Sequence, residues 1–353
     1  MNTISKLVLC AGLDKEEFEA LRPAAREENA KNLRTYALVA VLVFAVLVVV
    51  NALVGDFTSI NQTHYKLMLV ANLIIWFGTY YLVPKHPGLT LPLAYAFMAA
   101  LYAFSLAITV IHPELPAVTT IVLLFAVPFV MCDRPLRLAV MTAAAVAALG
   151  IVSFAFKPNP VAQDDLWNGV SFGAIAMLVE TLQQRNKYRI LSQSRHIQYL
   201  SETDLLTKAR NRNRFENCQG QYAADCHTNL VCLYTDVNGL HELNNTKGHH
   251  AGDVMLQTVA GKLIERFGQE HTYRIGGDEF LCFIKDTSEE AVRGIAAAIS
   301  GELNALGYHI SLGIASAEKS VLNMQAITST AENEMYQDKR RYYQQEGVDR
   351  RRR

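Results

Sequence analysis

Two adjacent carboxylates stand in a short turn of this sequence, where their placement suits metal chemistry. The turn Gly276-Gly277-Asp278-Glu279 separates two apolar runs, Tyr273–Ile275 and Phe280–Ile284. Glycine tolerates positive φ, so we expect a tight hairpin with both carboxylates at its tip. Neighbouring carboxylates repel one another unless a cation lies between them, and Mg²⁺ prefers carboxylate, water and phosphate oxygens. The turn therefore predicts a divalent-cation site.

A third carboxylate, Asp236, follows the apolar run Leu230–Tyr234. If the strand formed by that run is a neighbour of the hairpin in one sheet, Asp236 and Asp278 converge. Two-metal phosphoryl transfer requires such an arrangement. One ion lowers the pKa of an attacking hydroxyl while the other neutralises a departing pyrophosphate. The three carboxylates therefore favour phosphoryl transfer at this edge of the sheet.

Strand-like and helical runs alternate through the C-terminal half. Apolar residues recur at helical spacing in three segments, Val254–Phe267, Ala291–Leu306 and Ile327–Tyr342. A further strand, His309–Ala315, is predicted between the second and the third of them. The glycine turn joins two strands directly, so the sheet must be at least partly antiparallel. Alternation of Phe280, Cys282 and Ile284 predicts a strand with one buried face. The expected fold is an α/β domain with a mixed or antiparallel sheet flanked by helices.

Six motifs, in order over residues 203–343, resemble the GGDEF family of diguanylate cyclases. They are Asp204-x-Leu206-Thr207 with Asn211-Arg212, Asp236–Leu240, Asn244-Asn245-x-x-Gly248-His249-x-x-Gly252-Asp253, Arg274 with the glycine turn, Ser311–Ala315 and Ala331–Lys339. The resemblance implies a nucleotidyl-cyclase-like domain that condenses two GTP molecules into cyclic di-GMP and two pyrophosphates. Adenylyl or mixed-nucleotide cyclisation is a rival that the guanine-binding residues below disfavour.

The same resemblance implies a role for individual residues. Metal ligands for Mg²⁺, with Mn²⁺ as an alternative ion, are Asp236, the Val237 carbonyl, Asp278 and Glu279. Of these, Glu279, Asp278 and Asp236 are the implied catalytic carboxylates, and Glu279 assists metal binding or deprotonates the 3′-hydroxyl. Guanine contacts are Asn244 and Asp253, although Asp253 could instead cap a helix. The remaining implied substrate-binding residues are the backbone amides of Asn238, Gly239, Leu240 and His241, the side chains of Lys339 and Arg274, and the turn residues Gly276 and Gly277.

Several positions depart from the family pattern. Lys208 replaces a glycine, Asn238 and Asn245 replace aspartates, His241 replaces a lysine, and Tyr343 stands where a second phosphate-binding arginine is usual. An inhibitory product site of the form Arg-x-x-Asp is missing from the window 267–270. Lys339 could also be a solvated helix residue. The alternative function is a catalytically weak module that acts as a receptor for GTP or cyclic di-GMP.

The N-terminal half is apolar and predicts a membrane domain. Six segments have the composition of spanning helices: 35–54, 65–83, 89–111, 116–132, 136–156 and 166–183. Lys and Arg alternate between loops so that both termini face the cytoplasm. We therefore expect a multi-pass protein of the bacterial inner membrane with its catalytic domain in the cytoplasm. His64 and His112 could ligate haem or a metal, but histidines at the membrane interface without a ligand are commoner. A transporter is disfavoured, because no pair of helices interrupted by Gly or Pro recurs in the two halves of this domain.

The predicted domain organisation has five parts. These are a cytoplasmic segment 1–34, a six-helix sensor or anchor 35–183, a helical linker 184–203, the catalytic domain 204–345 and a basic tail 346–353. Ile190 and Ile197 lie at heptad spacing, which favours a homodimer through the linker and membrane helices. Balanced charge gives no reason to expect a nucleic-acid partner. The six cysteines show no metal or disulfide spacing and predict buried free thiols.

Overall fold

The computed structural model describes residues 2–54 and 59–345 of the 353-residue chain. The chain divides into two compact units, Met1–Ser194 and Arg195–Arg353. The predicted basic tail, 346–353, and residues 55–58 of the first predicted loop lie outside the described residues.

The N-terminal unit consists of helices. Their bounds are α1 (Thr3–Cys10), α2 (Lys15–Val54), α3 (Ser59–Tyr81), α4 (Thr90–Ile111), α5 (Val118–Ala126), α6 (Pro135–Phe156) and α7 (Asn159–Glu202). Three helical stretches are long and apolar enough to cross a membrane: Thr3–Leu53, Pro87–Ile111 and Pro135–Phe156. The stretch Val118–Val130 is apolar but shorter. Each of the six predicted spans coincides largely with helix, while the six-span count and its orientation remain predictions.

The surface of this unit carries many large apolar side chains. Leu53 is 80% exposed, Ile151 is 72% exposed and Ile74 is 67% exposed. Exposure of many large apolar side chains is unfavourable in water and favourable in hydrocarbon. The apolar helices and their exposed side chains are thus compatible with membrane anchoring.

A buried ion pair joins α7 to the chain just before it. Lys157 Nζ lies 2.7 Å from Asp165 Oδ2, and both side chains are almost fully buried. The same ammonium donates to the Leu115 carbonyl at 2.6 Å, while Asp165 accepts from the Ala117 amide and from Ser153. Because every partner is polar or charged, the cost of burying the two charges is offset locally.

The alternative that His64 and His112 ligate haem or a metal would need further ligands close to them. His112 Nε2 lies 3.2 Å from Asn61 Nδ2, which is a hydrogen-bonded pair between α3 and the end of α4. In the part of the chain that the structure describes, no three His, Cys, Asp or Glu side chains are grouped to hold a metal. All six cysteines are buried and free, as predicted.

The C-terminal unit contains a five-stranded mixed sheet. Its elements are β1 (Arg210–Asn211), α8 (Arg212–Asp225), β2 (Asn229–Asn238), α9 (Leu240–Lys247), α10 (His249–Phe267), β3 (Thr272–Arg274), β4 (Glu279–Lys285), α11 (Glu289–Ala305), β5 (His309–Glu318) and α12 (Met324–Gln345). The strand order is β1-β3-β4-β2-β5. Only the β1–β3 pair is parallel, so the predicted antiparallel character is confirmed.

Both faces of the sheet are buried, which corrects the prediction of one buried face for β4. Phe280 and Cys282 pack into one core with α10 and α11. Leu281 and Phe283 pack into a second core with α8 and α12. The alternation in the sequence was misleading because helices cover both faces, so the intervening positions are apolar as well.

Helix α12 packs directly against the backbone of β5 at Gly313. A Cβ atom at this glycine would lie 1.9 Å from the Ala331 carbonyl oxygen and 2.3 Å from the Met335 nitrogen. Glycine is therefore required for close packing of helix on strand, and this packing sets the position of the α12 side chains that enter the site.

Candidate active site

The pairing of β2 with β4 brings the three predicted carboxylates to one end of the sheet. Asp236 lies opposite Glu279 in the antiparallel register. The Val237 amide donates to the Asp278 carbonyl oxygen at 3.0 Å, which extends the pairing into the turn. The two strands are neighbours, as the sequence-based model of the site required.

The glycine turn forms the predicted hairpin, but not by the predicted means. Neither Gly276 nor Gly277 adopts the left-handed conformation. A Cβ atom at Gly276 would lie 2.6 Å from Glu279 Oε2, so this position provides space for the glutamate side chain. Here glycine leaves room for the close approach of Glu279, and it does not supply a positive φ.

Arg274 holds the hairpin to the start of the domain. Its Nη2 donates to the Gly277 carbonyl at 2.6 Å, and its Nη1 donates to Asp204 Oδ1 at 3.0 Å. Burial opposes ionisation of Asp204, but hydrogen bonds from Thr207 and Arg274 outweigh it and lower the pKa of the carboxyl. These contacts indicate a positioning role for Arg274, which the resemblance had grouped with the substrate-binding residues.

The electrostatics of the site favour a bound cation. Burial raises the pKa of Asp236 to about 6; Lys339 opposes the rise, whereas the charges of Asp278 and Glu279 add to it. Burial also raises the pKa of Glu279, with further contributions from Asp278 and Glu332. Negative charge is therefore concentrated here against a desolvation penalty that a cation would relieve.

The donor set fits the Mg²⁺ that the resemblance implies. Asp236 is buried, and among the described residues the only counter-charge within ion-pairing distance of its carboxylate is the ammonium of Lys339. No three acidic, imidazole or thiol side chains among the described residues enclose an ion by themselves. Mg²⁺ is commonly held by one or two carboxylates together with substrate phosphates, so a site of this kind needs oxygens from the main chain and the nucleotide as well.

Lys339 reaches this site from α12. Its Nζ lies 2.5 Å from both carboxylate oxygens of Asp236, and it donates a hydrogen bond to Oδ2. The side chain is only 12% exposed, so the alternative of a solvated helix residue is wrong. Glu332 lies seven residues earlier on the same helix, and its charge contributes to the raised pKa of Glu279. The motifs in the sequence did not identify Glu332 as part of the site.

The predicted guanine contacts lie on two packed helices, α9 and α10. Asn244 Oδ1 is buried without a hydrogen-bond partner. A Cβ atom at Gly252 would lie only 2.0 Å from that oxygen, so the glycine makes room for the amide. Helix α10 begins at His249, which places Asp253 inside the helix and rules out the capping alternative.

The amides of residues 238–241, the predicted phosphate cradle, surround the start of α9. Gly239 has φ of 74°, which turns the chain from β2 into the helix. The Asn238 side chain is buried and exchanges hydrogen bonds with Ser311 Oγ at 2.9 and 3.1 Å. His241 Nε2 lies 3.1 Å from Asn245 Nδ2. Successive main-chain amides at a helix start form an anion-binding concavity.

Tyr343 also contacts the cradle. The Gly239 amide donates to the Tyr343 hydroxyl at 3.3 Å. The sequence identified Tyr343 only as a departure from the family pattern, and the structure brings its hydroxyl to the predicted phosphate-binding backbone. At the position of the missing product site, Glu270 instead forms an ion pair with Arg210.

Comparison with known proteins identifies the class of this domain. The family model for the diguanylate cyclase GGDEF domain matches residues 201–345. Diguanylate cyclase DgcN of Escherichia coli K12 is 28% identical over 179 residues, covering 45% of this chain and 42% of the relative. Cyclic di-GMP phosphodiesterase PdeB of Shewanella oneidensis is 30% identical over 146 residues, covering 38% and 17%. The chain thus spans less than half the length of these curated relatives.

A solved structure shows the same kind of similarity. The coiled coil and GGDEF domain of DgcB from Caulobacter crescentus, in complex with c-di-GMP, is 20% identical with a TM-score of 0.43, and the match covers 47% of this chain and 94% of that one. Because the family model matches residues 201–345, the C-terminal unit described above is a GGDEF domain. Within that class, the relatives of this chain include named diguanylate cyclases.

Proposed function

We propose that this chain is a membrane-bound diguanylate cyclase that condenses two GTP molecules into cyclic di-GMP and two pyrophosphates. The observation that carries the proposal is the register of β2 and β4, which pairs Asp236 with Glu279 beside Asp278. Three carboxylates at the end of one sheet, next to the main-chain amides at the start of a helix, are the groups that nucleotidyl transfer needs.

Each GGDEF domain binds one GTP and so forms one half of the complete active site. Asn244 and Asp253 contact guanine, the phosphate cradle and Lys339 bind the triphosphate, and Arg274 with the glycine turn fixes the hairpin. Asp236, the Val237 carbonyl, Asp278 and Glu279 would hold Mg²⁺ or Mn²⁺, which would supply positive charge for the attacking and departing oxygens. The unpartnered Asn244 oxygen supports a hydrogen-bonding ligand on the guanine side.

The chemistry is balanced by two equivalent transfers. The 3′-oxygen of each GTP forms a bond to the α-phosphorus of the other, and the bond from that phosphorus to pyrophosphate breaks. The hydroxyl proton passes to Glu279, the carboxylate that the resemblance assigns to metal binding or to deprotonation of the 3′-hydroxyl. Both transfers need two domains facing each other, so the active form is a homodimer related by two-fold symmetry.

The membrane unit serves as anchor and sensor, with the catalytic domain in the cytoplasm of a bacterium. Helix α7 is continuous from Asn159 to Glu202 and includes the predicted linker. Ile190 and Ile197 are 61% and 65% exposed, which suits contact with a second copy at heptad spacing. Pairs of cysteines introduced at successive linker positions should change activity with helical period, and a flat response would remove the regulatory role.

The decisive experiment is incubation of the purified full chain, in detergent or lipid, with GTP and Mg²⁺, followed by chromatography of the nucleotides. Wild type should form cyclic di-GMP and pyrophosphate, and Asp278→Ala should not. Absence of product from wild type under all lipid conditions would refute the cyclase proposal. Full activity of Asp278→Ala would refute the assignment of the site.

The second candidate is a catalytically weak receptor for GTP or cyclic di-GMP. The ion pair of Lys339 with Asp236 favours it, because a proposed metal ligand is already engaged by a protein cation. Binding of GTP without turnover, at Mg²⁺ concentrations that saturate the site, would support the receptor over the cyclase.

A further inference from the structure

One face of α12 contacts both the proposed metal ligand Asp236 and the phosphate cradle. Lys339 engages the Asp236 carboxylate, and Tyr343, one turn later, accepts a hydrogen bond from the Gly239 amide at 3.3 Å. Gly239 lies in the phosphate cradle, and its positive φ sets the direction of the chain there. The tyrosine oxygen therefore holds an amide that a phosphate oxygen would use.

We propose that Tyr343 is a positioning residue that occupies the Gly239 amide in place of a phosphate oxygen, and that it lowers the affinity of the site for triphosphate. This inference rests on the proposed GTP-binding function. A backbone amide has one hydrogen to donate, so the phenol and a phosphate compete for it. The charged phosphate oxygen is the stronger acceptor, so the nucleotide displaces the hydroxyl at the cost of one hydrogen bond.

The length of the contact suits a bond that is made and broken in each cycle. At 3.3 Å it lies beyond the usual range for N–H···O bonds. The ring of Tyr343 also packs edge-on against Tyr342, with centroids 5.2 Å apart, so the aromatic ring has a packing role that does not require the hydroxyl. Removing only the oxygen should free the amide and keep the ring in place.

A tyrosine that stayed in place and donated its own proton to phosphate would have the opposite effect. Phenol can accept and donate at the same time. In that arrangement the hydroxyl would add to phosphate affinity, and its removal would weaken binding. The sign of the change in affinity therefore separates the two arrangements.

The test compares Tyr343→Phe with wild type as full chains with Mg²⁺, using titration calorimetry. The ligands are 3′-deoxy-GTP, which lacks the reacting hydroxyl, then pyrophosphate, and guanosine as the phosphate-free control. We expect Tyr343→Phe to bind 3′-deoxy-GTP and pyrophosphate roughly two- to tenfold more tightly, the effect of one neutral hydrogen bond, with no change for guanosine.

Tyr336→Phe is the matched control, because it makes the same chemical change on the same helix at a side chain that is 56% exposed. It should bind all three ligands as wild type does. Unchanged or weaker pyrophosphate binding by Tyr343→Phe would overturn the inference while wild-type binding of 3′-deoxy-GTP kept the proposed function intact. Failure of wild type to bind either phosphate ligand would instead count against the proposed function itself.

Discussion

Lys339 and Asp236 form an ion pair in which one ammonium lies 2.5 Å from both carboxylate oxygens. The side chains are 12% and 4% exposed, so water screens this pair poorly. The contact joins the last helix of the domain to the end of its central strand. It connects a residue expected to bind triphosphate with one expected to bind metal.

Metal binding should weaken as pH falls through about 6. The pKa of Asp236 is raised from 3.8 to about 6. The folded, metal-free domain therefore holds this proton more tightly than the unfolded chain does. That contribution to stability is present below pH 3.8 and is lost as pH rises through about 6. Because a metal ligand must be deprotonated, the affinity for Mn²⁺ should fall by up to about tenfold per pH unit below 6.

Calorimetric titration with Mn²⁺ between about pH 5 and pH 8 measures this dependence. Lys339 lowers the pKa of Asp236, so Lys339→Gln should move the curve to higher pH. A Mn²⁺ affinity that is constant across the range would contradict the assignment of Asp236 as a ligand that must lose its proton.

Gly252→Ala should impair nucleotide binding without unfolding the domain. The new methyl group would lie 2.0 Å from Asn244 Oδ1 and 3.0 Å from Leu240 Cδ1, so the amide must move away from its observed position. We expect a loss of roughly tenfold or more in affinity for 3′-deoxy-GTP, equivalent to the loss of one or two hydrogen bonds.

The matched control is Gly261→Ala in the same helix, where an added Cβ would contact nothing within 4 Å. That variant should bind as wild type does and gain about 0.5–1 kcal/mol of stability from helix propensity. Equal nucleotide affinity in both variants would show that the position of Asn244 does not matter for binding.

Gly313→Ala should destabilise the C-terminal unit. The added Cβ would overlap backbone atoms of Ala331 and Met335, which cannot move as a flexible side chain can. We expect a cost of about 1–3 kcal/mol or more in the free energy of unfolding, measured with denaturant on the full chain. Gly301→Ala in α11, where there is open space, is the control, and similar stability of the two variants would contradict the close packing of α12 on β5.

Asp165→Asn should destabilise the N-terminal unit, because it leaves Lys157 charged in a site that excludes water. Loss of one partner of a buried pair costs roughly 3–5 kcal/mol, whereas replacing both by apolar residues costs far less. Thermal unfolding in detergent should therefore rank wild type above Asp165→Asn, with Lys157→Met/Asp165→Leu recovering only part of the loss, because the Leu115 carbonyl and the Ala117 amide lose their partners. A double variant as unstable as the single one would argue against a charge-based explanation.

The proposed membrane topology predicts the activity of reporter fusions. Alkaline phosphatase, which is active only outside the cytoplasm, should be active when fused after Glu114 and inactive when fused after His86. A fluorescent protein at the C-terminus should fold in the cytoplasm. The reverse pattern of phosphatase activity would refute the orientation deduced from the Lys and Arg distribution.

The sequence predicted those features that depend on local pattern and motif order. The α/β fold, the hairpin around Gly276-Gly277 and the neighbouring of Asp236 with Asp278 were all anticipated. So were the helical character of the apolar segments and the buried thiols. These predictions were possible because helices, strands and hairpins each require a characteristic spacing of apolar and turn residues in the sequence.

Other features required the three-dimensional structure, because they arise between residues far apart in the chain. The contacts of Lys339 with Asp236 and of Tyr343 with Gly239 each join residues about a hundred positions apart. The periodicity of apolar residues in the sequence does not indicate these contacts. The burial of both sheet faces likewise depends on which helices cover each face. The sequence of a strand does not specify which helices will pack against it.

The amino-acid sequence alone thus determined the family resemblance, the fold class and the list of candidate residues. Tertiary structure alone decided what those residues contact. In the folded domain, Gly276 leaves space for the Glu279 side chain and does not adopt positive φ. Arg274 holds the hairpin in position, and Gly313 allows α12 to pack against the backbone of β5. The physical reason is that residue type and spacing fix local conformation, whereas desolvation, ion pairing and close approach depend on the packing of the whole domain.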